Sequence, residues 1–261
     1  MAVLTALGVG VLVGVVVGAL GAGGGILSVP ALIYLLGQEP HDASAGSLVV
    51  VGLTAIVSLI APARAGRVHW RDGATFGLMS VLGALVGSRA SVAVDGTLLL
   101  TLFCVMLAVV GVVMLVRGLR SRKSPDDGGG SEKDSASARR GLLVVAAAAT
   151  FTGFLTGFFG VGGGFIVVPM LVLALGFPMK DASGTSLLVM IIASSAGLAA
   201  RVGTHSNVDW PVVLAFAAAS MVGGILGGPL TKRASASTLT TTFGLLLLGV
   251  CAVTAYDLLT S

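Results

Sequence analysis

A run of three glycines within apolar sequence occurs twice in this chain, each time at the same distance ahead of a proline, an aspartate and two serines. Gly23, Gly24 and Gly25 precede Pro30, Asp42, Ser44 and Ser47, while Gly162, Gly163 and Gly164 precede Pro169, Asp181, Ser183 and Ser186. Gly21 and Gly160 stand just before the triplets. A helix that starts inside apolar sequence on bare glycine presents unsatisfied N–H groups and about half a positive charge. Two such starts facing one another would hold a small anion without a central lysine or arginine, and would release it again. Serines at i and i+3 share a helix face, where they bond to backbone and neighbouring helices or line an anion path, with Thr185 beside them. Asp42 and Asp181 are placed to cap the helix that follows, or to carry a coupling proton.

These residues belong to a longer repeat. Residues 18–48 and 157–187 match at a constant offset of 139, with 15 of 31 positions identical. Farther on the offset becomes 140 and pairs Trp70 with Trp210, Gly83 with Gly223 and Gly87 with Gly227. Tandem copies of one unit, each broken by glycine within apolar sequence, are a signature of secondary transporters.

Composition decides the solvent. The chain is 56% hydrophobic and 10% charged, against roughly 25% charged in soluble domains. It is therefore expected in a bilayer, with its basic residues reporting orientation and no nucleic-acid footprint. The first 20 residues lack a basic start or a cleavage site and read as a retained membrane segment. Cys104 and Cys251 lie mid-way along apolar helices and support neither a disulfide framework nor a metal site.

Apolar stretches run over 3–36, 43–63, 73–94 and 97–116, then 141–176, 182–200, 210–230 and 238–256. Spanning takes about 20 helical residues. The stretches over 3–36 and 141–176 exceed one span, and each has its Gly triplet near the middle, so each is expected to be two pieces joined at a break. Residues 117–140 are charged and Gly/Ser-rich, the composition of a flexible linker. Five passes per half, with the linker cytoplasmic, place 13 of the 15 Lys and Arg inside and two outside. Four passes per half give 11 against four. The positive-inside rule thus favours five passes and opposite orientations. The expected architecture is an all-α polytopic membrane protein of two inverted repeats, 1–116 and 141–261. Each repeat is a Gly-broken helix pair plus three transmembrane helices.

The element G-x-x-G-x-G-G-G with its following Pro and D-A-x-x-x-S-L, once per half, resembles the sulfite exporter TauE/SafE family over nearly the whole chain. That resemblance implies a multi-pass permease of a prokaryotic inner membrane. Its cargo would be a small sulfur-containing anion, sulfite or an organosulfonate, with no cofactor. A coupling ion is one option and passive flux the other, since no nucleotide-hydrolysis motif is present.

Other readings compete. Scattered glycines also let membrane helices pack closely, as Gly83, Gly87, Gly223 and Gly227 are expected to do. The triplets are poor nucleotide loops, because no Lys-Ser/Thr follows them. Pro30 and Pro169 suit a kink or a first turn whatever the function. Arg64 and Arg201 end spans, where they snorkel or draw anions to a vestibule. His41, His69 and His205 lie near the ends of the spans in no metal-binding pattern. That position also disfavours an intramembrane hydrolase, which needs a buried Ser–His pair. A non-transporting scaffold, or a permease for an unrelated small anion, remains the alternative function.

Overall fold

The computed structural model describes residues 2–21, 27–28, 31–32, 40–91, 94, 96–123, 142–159, 164–200 and 209–260. The first half supplies α1 (Ala2–Leu20), α2 (Pro40–Arg64), α3 (Trp70–Ser91) and α4 (Gly96–Lys123). The second supplies α5 (Leu142–Phe159), α6 (Gly164–Leu173), α7 (Met179–Ala200), α8 (Trp210–Arg233) and α9 (Ala236–Thr260). Residues 27–28 and 31–32 also have helical backbone. All regular structure among the described residues is helical.

Five of these helices, α2, α4, α7, α8 and α9, are long and apolar enough to cross a membrane. Leu78, Leu82 and Val86 on one stripe of α3, and Val105, Val109 and Val112 on α4, remain exposed. So wide an apolar surface belongs against lipid. The protein is a multi-pass membrane protein.

Both long apolar stretches do break. The second divides into α5 and the ten-residue α6, which starts at Gly164, the last residue of its triplet. Phe159 and Phe165, on either side of residues 160–163, both pack on Phe103 of α4, with ring centroids 5.4 and 5.7 Å away. Pro169 sits inside α6 and removes one of its few backbone hydrogen bonds. In the first stretch α1 stops at Leu20. Beyond the expected limit at 116, α4 continues to Lys123. Its extra turns are held because Gly118 packs on Thr241 and accepts a hydrogen bond from the Ser237 hydroxyl.

The two halves pack on each other rather than each on itself. The most extensive interfaces are α1 with α8, α3 with α5, and α4 with α9, followed by α8 with α2 and α2 with α7. The glycines expected to serve packing do so. A Cβ built at Gly14 or Gly18 falls on the carbonyl oxygen of Ser220 or Gly224, and one at Gly153 or Gly157 on that of Ser80 or Ala84. Gly223 and Gly227 meet the α1 backbone, as Gly83 and Gly87 meet that of α5. Backbone approach of this kind is how membrane helices gain van der Waals contact without a hydrophobic driving force.

The same contacts fix direction. Leu48 meets Gly197, Gly52 meets Ser194 and Pro62 meets Gly184, so the equivalent helices α2 and α7 run antiparallel. Gly111 meets Leu248 and Gly118 meets Thr241, so α4 and α9 are antiparallel too. Their cysteines lie together at this crossing, the Cys251 thiol donating to the Cys104 carbonyl at 3.3 Å. By contrast α1 runs parallel to α8, and α8 to α2, where Ser58 meets Gly224 and Ala61 meets Gly228. Hence α1 and α2 point the same way. In the second half, α5 and α7 are both parallel to α3, and the return runs through α6.

Candidate functional site

The end of α1 is where the two motif copies meet. Gly21 adopts the left-handed conformation, φ +62°, which an L side chain reaches only at a cost of about 1–2 kcal/mol. Its N–H closes the last turn on the Val17 carbonyl at 2.8 Å. A Cβ here would fall on the Ser183 carbonyl oxygen, so space excludes other residues as firmly as conformation. The Ser186 hydroxyl is within donating distance of the Gly21 carbonyl at 2.9 Å and the Ser183 carbonyl at 2.8 Å. Gly21, Ser183 and Ser186 thus form one buried junction between α1 and the start of α7.

Asp181 is not the N-cap of α7. Its N–H bonds back to the Pro178 carbonyl at 3.0 Å, and it is the third helical residue. There a carboxylate still favours the positive helix end, but its Oδ2 faces His69 Nε2 at 3.5 Å. His69 also packs on Phe177, ring centroids 4.5 Å apart, and approaches Asp72 at 3.9 Å. The Thr185 hydroxyl accepts the backbone N–H of His69 at 3.1 Å. These contacts tie the α2–α3 connection to the first turns of α7. Asp42 occupies the matching third place in α2, two residues before Ser44, and both of those side chains lie outside the described residues.

A small pocket opens beside the Gly21 junction, lined by Gly18, Pro62, Arg67, Lys180, Ser183 and Thr231 among others. Two cationic side chains and the start of α7 draw an anion here, while the carbonyl ends of α1, α2 and α8 oppose it. Each helix end counts for about half a charge. Ser186 and Thr231 already donate to the carbonyls of Gly21 and Ala19. The full charges of Arg67 and Lys180 therefore prevail, and the mouth is positive. Arg67, Lys180 and Thr231 were invisible as site residues in the sequence, where the two cations carried weight only in the count of orientation charges.

The structure does not gather all the motif residues in one place. Ser47 is buried beside Leu48, at the level of Gly197 on α7. Ser186 lies about 11 residues away along that helix, roughly 16 Å at 1.5 Å per residue. The two serine pairs are separate stations at opposite ends of the α2–α7 pair. Gly164 is buried as the first residue of α6. Gly23, Gly24, Gly25, Gly160, Gly162 and Gly163 lie outside the described residues, as does Pro30. No group of three or more His, Cys, Asp or Glu that could hold a metal occurs among the described residues.

A membrane bundle with a glycine-broken helix and a positive pocket at the break is the arrangement of a membrane transport protein. Residues 6–254 match the family described as sulfite exporter TauE/SafE, and the chain belongs to that family. A probable membrane transporter protein of Xylella fastidiosa strain Temecula1 is 37% identical over 252 residues, covering 95% of this chain and 92% of that one. The Bacillus subtilis probable membrane transporter protein YunE is 26% identical over 243 residues, covering 88% and 89%. A probable membrane transporter protein of Methanocaldococcus jannaschii is 27% identical over 196 residues, covering 73% and 68%. No solved structure matches the chain significantly.

Proposed function

We propose that the protein is a secondary permease for small sulfur-containing anions such as sulfite or an organosulfonate, built from two inverted repeats in a prokaryotic inner membrane. One observation carries the anion reading. Arg67 and Lys180 share a pocket with Ser183 directly against the Gly21 junction, where α1 ends and the first glycine triplet follows. The antiparallel course of α2 against α7, and of α4 against α9, supports inversion, since repeats of the same orientation would run parallel there. With α1 and α2 parallel, the piece between them counts as a reversal, which favours five segments per half over four. The linker then lies in the cytoplasm and both termini outside, as the basic residues prefer. Binding stabilises a native state by mass action. The purified protein should therefore melt at higher temperature with sulfite, thiosulfate, taurine or sulfoacetate than with the same ionic strength of chloride. Identical melting in every one of these anions would reject the reading.

A further inference from the structure

Hydroxyls on the helices of this protein follow a habit. Those of Ser80, Thr152, Thr156, Thr240 and Thr254 donate back to a carbonyl three or four residues earlier in their own helix. This is the usual way for Ser and Thr in apolar surroundings to satisfy themselves. Thr54 and Ser58 on α2 and Ser194 on α7 do otherwise. They are 1–2% exposed, and their hydroxyls have no hydrogen-bond partner among the described residues.

These three residues lie along α2, two where it meets α8 and one where it meets α7. Thr54 and Ser58 are one turn apart on α2 and border Gly224 of α8, Ser58 through its hydroxyl and Thr54 through its methyl group. Ala61 and Gly228, one turn farther along the same two helices, line the positive pocket. Ser194 faces Gly52, on the other side of Thr54 from the pocket, and Ser47 lies beyond. Between Asp42 and Arg64 on α2, and beyond Asp181 on α7, no side chain is ionisable, nor is any on α8 before Lys232. The stretch between the levels of Ser186 and Ser47 thus carries three unspent neutral hydroxyls, those of Ser58, Thr54 and Ser194.

We propose that this line, Ser58, Thr54 and Ser194, is the route by which the anion crosses, with Arg67 and Lys180 at its mouth and the contact of Ser58 with Gly224 as its constriction. The proposal rests on the anion-permease reading and adds the path to it. A hydroxyl donates to a passing oxyanion in place of hydration water, and a neutral donor releases it to the next. Buried donors that spend themselves on their own helix cannot do this, whereas Thr54, Ser58 and Ser194 keep theirs. At Gly224 a Cβ would overlap the Ser58 hydroxyl, so glycine keeps the narrowest point open.

The test is flux of radiolabelled sulfite, and separately of taurine, into proteoliposomes, with melting temperature measured on each variant. Ser58→Ala and Thr54→Val should each slow flux about tenfold or more, the scale of a hydrogen bond lost to a charged group. Melting should stay level or rise, since an unpartnered hydroxyl leaves the interior. Ser195→Ala, whose hydroxyl donates to Ile191 in the same helix, should leave flux unchanged. Undiminished flux in Ser58→Ala and Thr54→Val would overturn the route while leaving the permease intact. A lower melting temperature in both would show that the hydroxyls are structural, and would overturn it as well. Wild-type vesicles that pass neither anion would reject the permease reading itself, and the route with it.

Discussion

The Ser186 hydroxyl lies 2.9 Å from the carbonyl oxygen of Gly21, 165 residues earlier in the chain. Gly21 lies near the start of the first motif copy and Ser186 near the end of the second, so the repeat works across its halves. The glycine ends α1 and the serine takes up the carbonyl freed there.

Gly21→Ala should therefore destabilise by about 2–4 kcal/mol, combining a left-handed alanine with a collision at the Ser183 carbonyl. Ser186→Ala removes only a donor and should cost about 1 kcal/mol. Thermal unfolding in detergent checks both. Equal, small losses would mean that the backbone there can rearrange.

The crossings of α1 on α8 and α3 on α5 should tolerate no side chain. Gly153→Leu must push the α3 and α5 backbones apart, whereas nothing lies within 4 Å of a Cβ at Gly8 or Gly249. The expected outcome is loss of monodisperse protein for Gly153→Leu and melting within about 0.5 kcal/mol of wild type for Gly249→Ala. Similar behaviour of both variants would contradict the packing.

Sidedness follows from the antiparallel pair α4 and α9. In a background of Cys104→Ser and Cys251→Ser, a cysteine replacing Lys123 should be shielded from an impermeant thiol reagent in intact cells. One replacing Thr260 should react. Labelling of both from the same side would overturn the inverted arrangement.

Asp181→Asn should be mild. The carboxylate is a first-turn acid facing a half-exposed histidine, an arrangement worth about 1 kcal/mol at most. Flux should fall less than in the Ser58→Ala variant. A complete loss of flux at unchanged melting would make Asp181 a coupling group.

Much of this was legible from residue order. An apolar run too long for one span, interrupted by three glycines, has few other folds available, and α5 and α6 separate where that run predicts. The later part of the repeat, at its offset of 140, likewise foretold that Gly83 and Gly223 serve alike. Exchange of partners between halves was not legible, because a glycine face does not say which glycine face it meets. The aspartates were expected as caps because Asp favours that place, yet both helices start earlier, α2 at Pro40 and α7 at Met179 directly after Pro178, and proline's fixed backbone angle suits a helix start. Thr54 and Ser58 passed unnoticed for another reason. Their counterparts at the 139 offset are Ala193 and Gly197, so the repeat gave them no emphasis, and only burial without a partner sets them apart.

The central claim, an anion held at the positive mouth beside Gly21, is tested most directly by calorimetric titration of sulfite, and in parallel of taurine, into the folded protein and its Lys180→Gln and Arg67→Gln variants. Saturable binding of at least one of the two anions is expected, weakened about tenfold or more in each variant with melting unchanged. Binding of equal strength in all three proteins, or none of either anion in the wild type, would contradict the account.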